Sequence, residues 1–349
     1  MASPIEIDGA EGEGGGQVLR TALSLSLITG TPFRIDRLRG GRAKPGLRRQ
    51  HLVAVQAAQE IGAAVVEGAA LGSRELSFTP GPVSHGERRF AIGSAGSTAL
   101  VLQTLLWPLL LREGRSRLVL EGGTHAPLAP TADSLLDAFL PALGRLGLGD
   151  RIELSLVRCG FMPAGGGRLE LVVRGGAPPR ALQWHHRGAL RSLSARALVS
   201  QLAKDVAVRE LELLRHRLGI EAAMGSAQLR IVEVDSAGPG NALQVVVEHE
   251  DAVEAFQAIG ERGVRAEAVA ERLAREVQAH LDVDAPVGPH LADQLLIPLA
   301  VAGSGSFSTT ALTEHTRTNA RLIERFLPVE LRLEDQPSKG TRVCAVTSP

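Results

Sequence analysis

Apolar and polar positions follow one order at three places in the chain. In each, a polar start leads into an apolar helix-like run, a glycine-containing turn and a β-branched or apolar strand. The stretches are "GGGQVLRTALSLSLITGTPFRIDRL", "SAGSTALVLQTLLWPLLLREGRSRLVLEGG" and "HLADQLLIPLAVAGSGSFSTTAL". A second helix and strand follow each one, in "RQHLVAVQAAQEIGAAVVEG", "TADSLLDAFLPALGRLGLGDRIELSL" and "NARLIERFLPVELRLED". The pattern is a repeat of paired β-α units.

The first two units begin about 80 residues apart and the third nearly 200 after the second, so roughly 100 residues are interpolated. That interval has patterns of its own, "RGALRSLSARALVS", "VAVRELELLRHRLG", "NALQVVVEHE" and "AVAERLAREVQAHL". The expected fold class is α/β (α+β): a large domain of three repeated β-α-β-α-β-β units with a smaller inserted α/β domain. Residues 1–183 would hold repeats one and two, 184–284 the insert, and 285–349 the third repeat.

A chain of 349 residues has room for such a core. Its 38 basic and 38 acidic residues balance, which argues against a protein that coats nucleic acid through global charge. With no tyrosine and little Trp or Phe, stacking platforms for single strands are scarce, so any RNA would be held through phosphates or at one end. "TALVLQTLLWPLLL" is too short for a membrane span and contains Gln103 and Pro108. Only Cys159 and Cys344 are present, and "MASPIEIDGAEGEGGG" lacks the form of a signal peptide. These features point to the cytoplasm. The oligomeric state, a homodimer included, is left open.

Candidate chemistry gathers in loops. "IEIDGAEGEGGGQVLR" reads as strand, glycine-rich loop and helix, where backbone N–H groups and a helix start favour an anion. It has neither a Walker ending nor a dinucleotide fingerprint, and a tight turn is the competing reading. Glu13 within it calls for a compensating cation or guanidinium, with Mg²⁺ or Mn²⁺ as one solution. "RIDRLRGGRAKPGLRRQH" concentrates Arg34, Arg37, Arg39, Arg42, Lys44, Arg48 and Arg49 against one acid, Asp36. Its Gly-Gly and Pro-Gly pairs would fix the backbone between guanidiniums able to grip phosphate. On the first helix Gln17, Arg20, Thr21 and Ser24 share a face.

Of ten histidines, His315 stands apart, among Thr313, Thr316, Thr318 and Asn319 without metal-ligand spacing. Helix-cap chemistry is one reading. The other is a nucleophile toward phosphorus, oriented through its second nitrogen, with the threonines as candidates for that task.

The ordered set "EGGGQVLR", "RGGRAKPGLRRQH", "GSAGSTALVLQ", "EGGT", "GFMPAGGG", "HLADQLLIPLA" and "EHTRTN" closely resembles the RNA 3'-terminal phosphate cyclases over nearly the full length. The resemblance implies an enzyme acting on RNA with a 3'-terminal phosphate. A histidine attacks the α-phosphate of ATP, AMP passes to the RNA 3'-phosphate, and the adjacent 2'-hydroxyl displaces AMP to leave a 2',3'-cyclic end. By the same resemblance His315 is the nucleophile and Glu13 the metal-binding acid. Arg20, Arg39, Arg42, Gln50 and His51 line the phosphate pocket. Gln103, Pro130, His290, Leu291, Ala292, Asp293 and Gln294 are implied for the nucleotide. Two positions depart from the family pattern: His290 stands where a tyrosine is usual, and His125 replaces an acid or amide after "GGT". Competing classes are a catalytically silent relative serving ribosome assembly, which would lack the histidine, and an enolpyruvyl-type transferase of related architecture, which would not need the H-T-x-T-N segment.

Overall fold

In the computed structural model, which describes residues 3–12, 15–220, 228–336 and 340–347, the first apolar run is a helix because nothing interrupts it until glycine. It forms α1 (Gly16–Thr29), and Gly30, left-handed at φ 75°, ends it. The helix crosses between β1 (Ile5–Asp8) and β2 (Phe33–Asp36), which pair in parallel. After α2 (Arg49–Ile61), the short strands β3 (Val65–Glu67) and β4 (Leu76–Thr79) complete an antiparallel remainder. The sheet order is β1-β2-β4-β3.

The same wiring recurs. β5 (Glu87–Ala91), α3 (Thr98–Leu111) and β6 (Arg115–Gly122) form the second crossover. The helical run that follows has α4 (Ala132–Ser134), a π turn at Leu135–Phe139 and α5 (Leu140–Arg145). It returns to β7 (Ile152–Arg158) and β8 (Gly167–Arg174), giving the order β5-β6-β8-β7. β9 (Leu182–Trp184) opens the third unit.

Between that strand and its partner lies a different arrangement. β10 (Leu190–Ser200), α6 (Asp205–Leu218), β11 (Leu229–Glu233), β12 (Gly240–His249), β13 (Val253–Ile259) and α7 (Ala266–Leu281) build a sheet ordered β11-β10-β12-β13. Its own apolar core runs from Leu193 through Leu214, Val245 and Leu273 to Val277. The chain then resumes the repeat with α8 (Pro289–Ala302), β14 (Ser304–Thr309), α9 (Glu314–Glu324), β15 (Val329–Gln336) and β16 (Gly340–Thr347). β9 pairs in parallel with β14 across the interruption, and the order β9-β14-β16-β15 repeats the first two sheets position for position. The α/β class and the β-α-β-α-β-β unit expected from the pattern are present in all three sheets.

One continuous core joins the three repeats. Leu19 and Leu23 of α1, Leu102 and Leu105 of α3, Leu295 and Leu299 of α8, and Ile323 of α9 meet Ile35, Leu171 and Phe307 from the three sheets. α3 is apolar nearly all round, as a central helix must be, and Gln103 is the half-buried polar exception beside Leu102 and Leu105. Each such large side chain contributes about 1.5–3 kcal/mol by leaving water. Among the described residues no helix is long and apolar enough to cross a membrane.

A buried carboxylate ties the insert's sheet to the third repeat. Glu254 of β13, 4% exposed, accepts from Gly288 N at 2.5 Å and Ala255 N at 3.0 Å; Gly288 is the N-cap of α8. Burial raises its carboxyl from 4.5 to about 7 against the pull of those two N–H groups. Because the folded pKa is the higher one, the stability this proton supplies is complete below pH 4.5 and is lost as pH rises through about 7. Glu254→Gln keeps an acceptor and removes the titration. Between those pH values the wild type is expected to lose ~3 kcal/mol relative to the variant, measured by urea unfolding. A difference that stays constant with pH would contradict the burial of an acid there.

Candidate functional site

The first turn of α1 lacks any side-chain cap, so its N–H groups point outward with the positive end of the helix dipole. Two glycines let cations reach it. A Cβ on Gly15 would lie 2.9 Å from Arg42 Nη2, and one on Gly16 would lie 2.1 Å from His51 Nε2 and 2.9 Å from Arg20 Nη1. Three side chains from α1, the basic loop and α2 thus converge on one helix start, which only glycine there permits.

The basic loop is held in shape by its own arginines. Arg39 donates to Lys44 O at 2.7 Å and Gly46 O at 3.0 Å, and Arg37 pairs with Asp8. Both adopt left-handed backbone, φ 55° and φ 50°, a conformation that costs about 1–3 kcal/mol at each non-glycine residue. Burial lowers the Arg39 pKa, with Arg48 and Arg42 adding repulsion. Arg20 falls to about 10, chiefly through burial, while Asp293 opposes the shift and Arg39 adds to it. Crowded guanidiniums of this kind are relieved by an anion.

Gln50, beside His51, has its carbonyl committed: Gln50 Oε1 accepts from Ser97 N at 3.0 Å, and Ser97 in turn caps α3. It therefore links the starts of α2 and α3.

His315 lies in the first turn of α9, with Thr313 as the N-cap. Its Nδ1 meets Gln17 Oε1 at 2.5 Å. The amide of Gln17 donates to both oxygens of Asp293 at 2.7 Å. Asn319 donates to Asp293 at 3.0 Å and accepts from Thr21 at 2.7 Å. Burial pushes the Asp293 carboxyl above its usual range, while His315, Asn319, Gln17 and Arg20 pull it back. The chemistry of the bridge is directional. An amide nitrogen facing a carboxylate leaves its carbonyl toward the ring, so Nδ1 carries a proton, and the neutral ring that this bridge selects has its lone pair on Nε2.

The threonines expected to orient the ring have other duties. Thr313 Oγ1 accepts from Thr316 N at 3.1 Å and pairs with Thr316 Oγ1 at 3.0 Å. The Thr318 hydroxyl is packed where a Cβ on Gly12 would meet it at 2.1 Å. Gln17 orients the ring, and the shared face of Gln17, Arg20 and Thr21 was the available signal for it.

The nucleotide set is partly joined. Gln103 Nε2 donates to Gln294 Oε1 at 2.7 Å, and Gln294 Nε2 donates to His290 O at 3.1 Å. His290 is exposed at the start of α8. Leu291 and Ala292 belong to the main core, so their side chains are packing residues. Pro130 is half-buried in the loop entering α4. Glu13 lies outside the described residues. Among those described, no three His, Cys, Asp or Glu side chains are grouped to hold a metal. His125 proves structural: it is 1% exposed, with Asp133 at 2.5 Å on Nε2 and Thr124 at 2.9 Å on Nδ1, and it stacks on Phe161.

A family model described as RNA 3'-terminal phosphate cyclase matches residues 11–333. The chain is 48% identical over 336 residues to the RNA 3'-terminal phosphate cyclase of Salmonella agona (strain SL483), covering 96% of this chain and 95% of that one. It is 49% identical over 332 residues to the protein of the same name from Ralstonia nicotianae, covering 95% and 93%. With that of Pseudomonas fluorescens it shares 49% over 337 residues, 95% and 94% of the two chains.

His51 is 5% exposed, and its Nδ1 accepts from Arg48 N at 3.3 Å, which places the ring proton on Nε2, facing Gly16. Burial, then Arg20, Arg39 and Arg48, push its pKa down to about 3. Its contribution to stability is present above the ordinary 6.5 and lost as pH falls toward about 3. Nitrogen-15 spectra should show a neutral Nε2–H ring from about pH 8 down to about pH 5. A cationic ring near pH 6 would contradict this packing.

Proposed function

Because the chain belongs to the RNA 3'-terminal phosphate cyclase family, we propose that it consumes ATP to convert an RNA 3'-terminal phosphate into a 2',3'-cyclic phosphodiester, with His315 carrying AMP between them. The observation that carries the assignment of His315 is the bridge from its Nδ1 through Gln17 to Asp293.

With the proton held on Nδ1, the Nε2 lone pair forms a bond to the α-phosphorus of ATP. The bond to the bridging oxygen breaks, and pyrophosphate departs. Gln17 keeps its hydrogen bond to Nδ1–H as the ring gains positive character, and Asp293 behind it supplies the compensating charge. An oxygen of the RNA 3'-phosphate then attacks the phosphorus on His315, the N–P bond breaks and the imidazole is restored. Finally the terminal 2'-hydroxyl attacks the activated 3'-phosphorus and passes its proton to solvent, and the phosphoanhydride bond breaks to release AMP. Each step moves charge between phosphate oxygens, which suits the cluster of Arg20, Arg39, Arg42 and His51 around the start of α1.

Gln103, Gln294 and the turn at His290 are assigned to the nucleotide, as is Pro130, an apolar contact for the base. His290 offers imidazole, which covers less of an adenine face than the tyrosine ring of the family pattern that the sequence resembles. A divalent ion, Mg²⁺ or Mn²⁺, would be held with Glu13 as its protein donor and would neutralise charge on the nucleotide phosphates. The two cysteines, both free, suit a reducing compartment, and we assign the reaction to the cytoplasm.

Incubation with α-labelled ATP and Mg²⁺ or Mn²⁺ should label the protein through an acid-labile, base-stable bond. His315→Ala should abolish the label, and undiminished labelling would overturn the assignment. Gln17→Ala should slow labelling about a hundredfold through loss of the correct tautomer, while the thermal midpoint changes little. An oligoribonucleotide with a 3'-phosphate should be cyclised, and one lacking the terminal 2'-hydroxyl should not. Equal cyclisation of both would contradict the mechanism.

A further inference from the structure

The loop that carries Pro130 has few handles of its own. Proline offers no N–H, and two residues earlier Leu128 is 97% exposed and left-handed at φ 58°, a conformation that leucine adopts only when its surroundings impose it. The restraint comes from the insert's sheet, ordered β11-β10-β12-β13. Gln257 of β13 accepts from Thr131 N at 2.8 Å and donates to Ala129 O at 2.7 Å. These are the two backbone groups that flank Pro130, the same pair that a neighbouring parallel strand would take. A side-chain amide thus stands in for a strand.

Gln257 does not act from an isolated position. On the ladder it pairs with Gln244, which pairs with Arg196. Arg196 donates to Gln244 Oε1 at 2.9 Å and to Asp133 at 2.8 Å, and it also pairs with Asp137, both on the helical run after the Pro130 loop. A polar row crosses a sheet whose other strand positions supply an apolar core, and each end of the row grips the segment that begins at Ala129. From the other face of the same strand, Glu254 accepts from Gly288 N, two residues before His290. One strand therefore holds both segments assigned to the base of the nucleotide.

We propose that β13 positions the nucleotide site: Gln257 clasps the Pro130 loop from both sides, and Glu254 anchors the turn that presents His290. The insert acts as a brace across the ATP pocket, with Gln257 and Glu254 as positioning residues that touch neither nucleotide nor RNA. This rests on the assignment of Pro130 and His290 to the nucleotide.

The test compares the full-length enzyme with Gln257→Ala, Gln257→Glu, Pro130→Gly and His290→Ala, and with Ser192→Ala as a control elsewhere on the same sheet, where Ser192 bonds Glu248. Steady-state cyclisation is followed with varied ATP and with varied 3'-phosphorylated oligoribonucleotide, alongside thermal melts. Gln257→Ala is expected to raise KM for ATP about tenfold while KM for the RNA end stays within about twofold. Gln257→Glu keeps the acceptor for Thr131 N but sets a carboxylate oxygen against Ala129 O, so its KM should rise at least as far as that of Gln257→Ala. It also serves if the alanine variant fails to fold. An unchanged KM for ATP in both Gln257 variants, with Pro130→Gly raising it, would overturn the brace and leave the nucleotide assignment standing. Unchanged KM in Pro130→Gly and His290→Ala would overturn the nucleotide assignment and the brace with it. Equal rises in KM for ATP and RNA would mark a general loss of structure and would also overturn the brace.

Discussion

The amide of Gln17, set between the carboxylate of Asp293 and the ring of His315, is the interaction on which the rest of the site depends. It joins α1 of the first repeat to α8 and α9 of the third, beside the common apolar core. A half-satisfied polar group there would be costly, whereas a complete chain from His315 through Gln17, Asp293 and Asn319 to Thr21 defines one geometry. The amide cannot be reversed without setting its carbonyl against the carboxylate. The direction of the chain decides which imidazole nitrogen carries the proton.

The repeat explains why these helices meet. Three sheets with the same order place their first crossover helices α1, α3 and α8 together in one core. The polar residues on those helices, Gln17 and Arg20, Gln103, Asp293 and Gln294, then face a shared centre instead of solvent. The glycines at the start of α1 admit Arg42 and His51 to the same end. The strain of Arg37 and Arg39 in left-handed backbone is located where cations are crowded, which is where stored strain commonly accompanies function.

Much of this was legible from local pattern. Apolar runs ended by glycine marked α1 and α8, because Gly30 and Gly303 there take the left-handed turn that glycine adopts most readily. The basic loop was legible because its charges are neighbours in sequence. The ladder partners were not, since β6 bonds to β8 and β9 to β14, and long-range pairing leaves no mark at a fixed spacing. The orientation of His315 was misread for the same reason. Of its threonine neighbours, Thr313 caps α9 and bonds Thr316, while the residue that aims the ring lies 298 positions away. His125 looked like a departure in a functional motif. Its burial between Asp133 and Phe161 shows a packing role that only tertiary structure reveals.

The most direct measurement is phosphorus–nitrogen NMR on the adenylylated protein, prepared from ATP and nitrogen-15 histidine-labelled enzyme in the absence of RNA. A one-bond coupling between phosphorus and Nε2 of His315 is expected, with Nδ1 still protonated toward Gln17. Coupling to Nδ1, or AMP found on a residue other than His315, would contradict the role given to the Gln17 bridge.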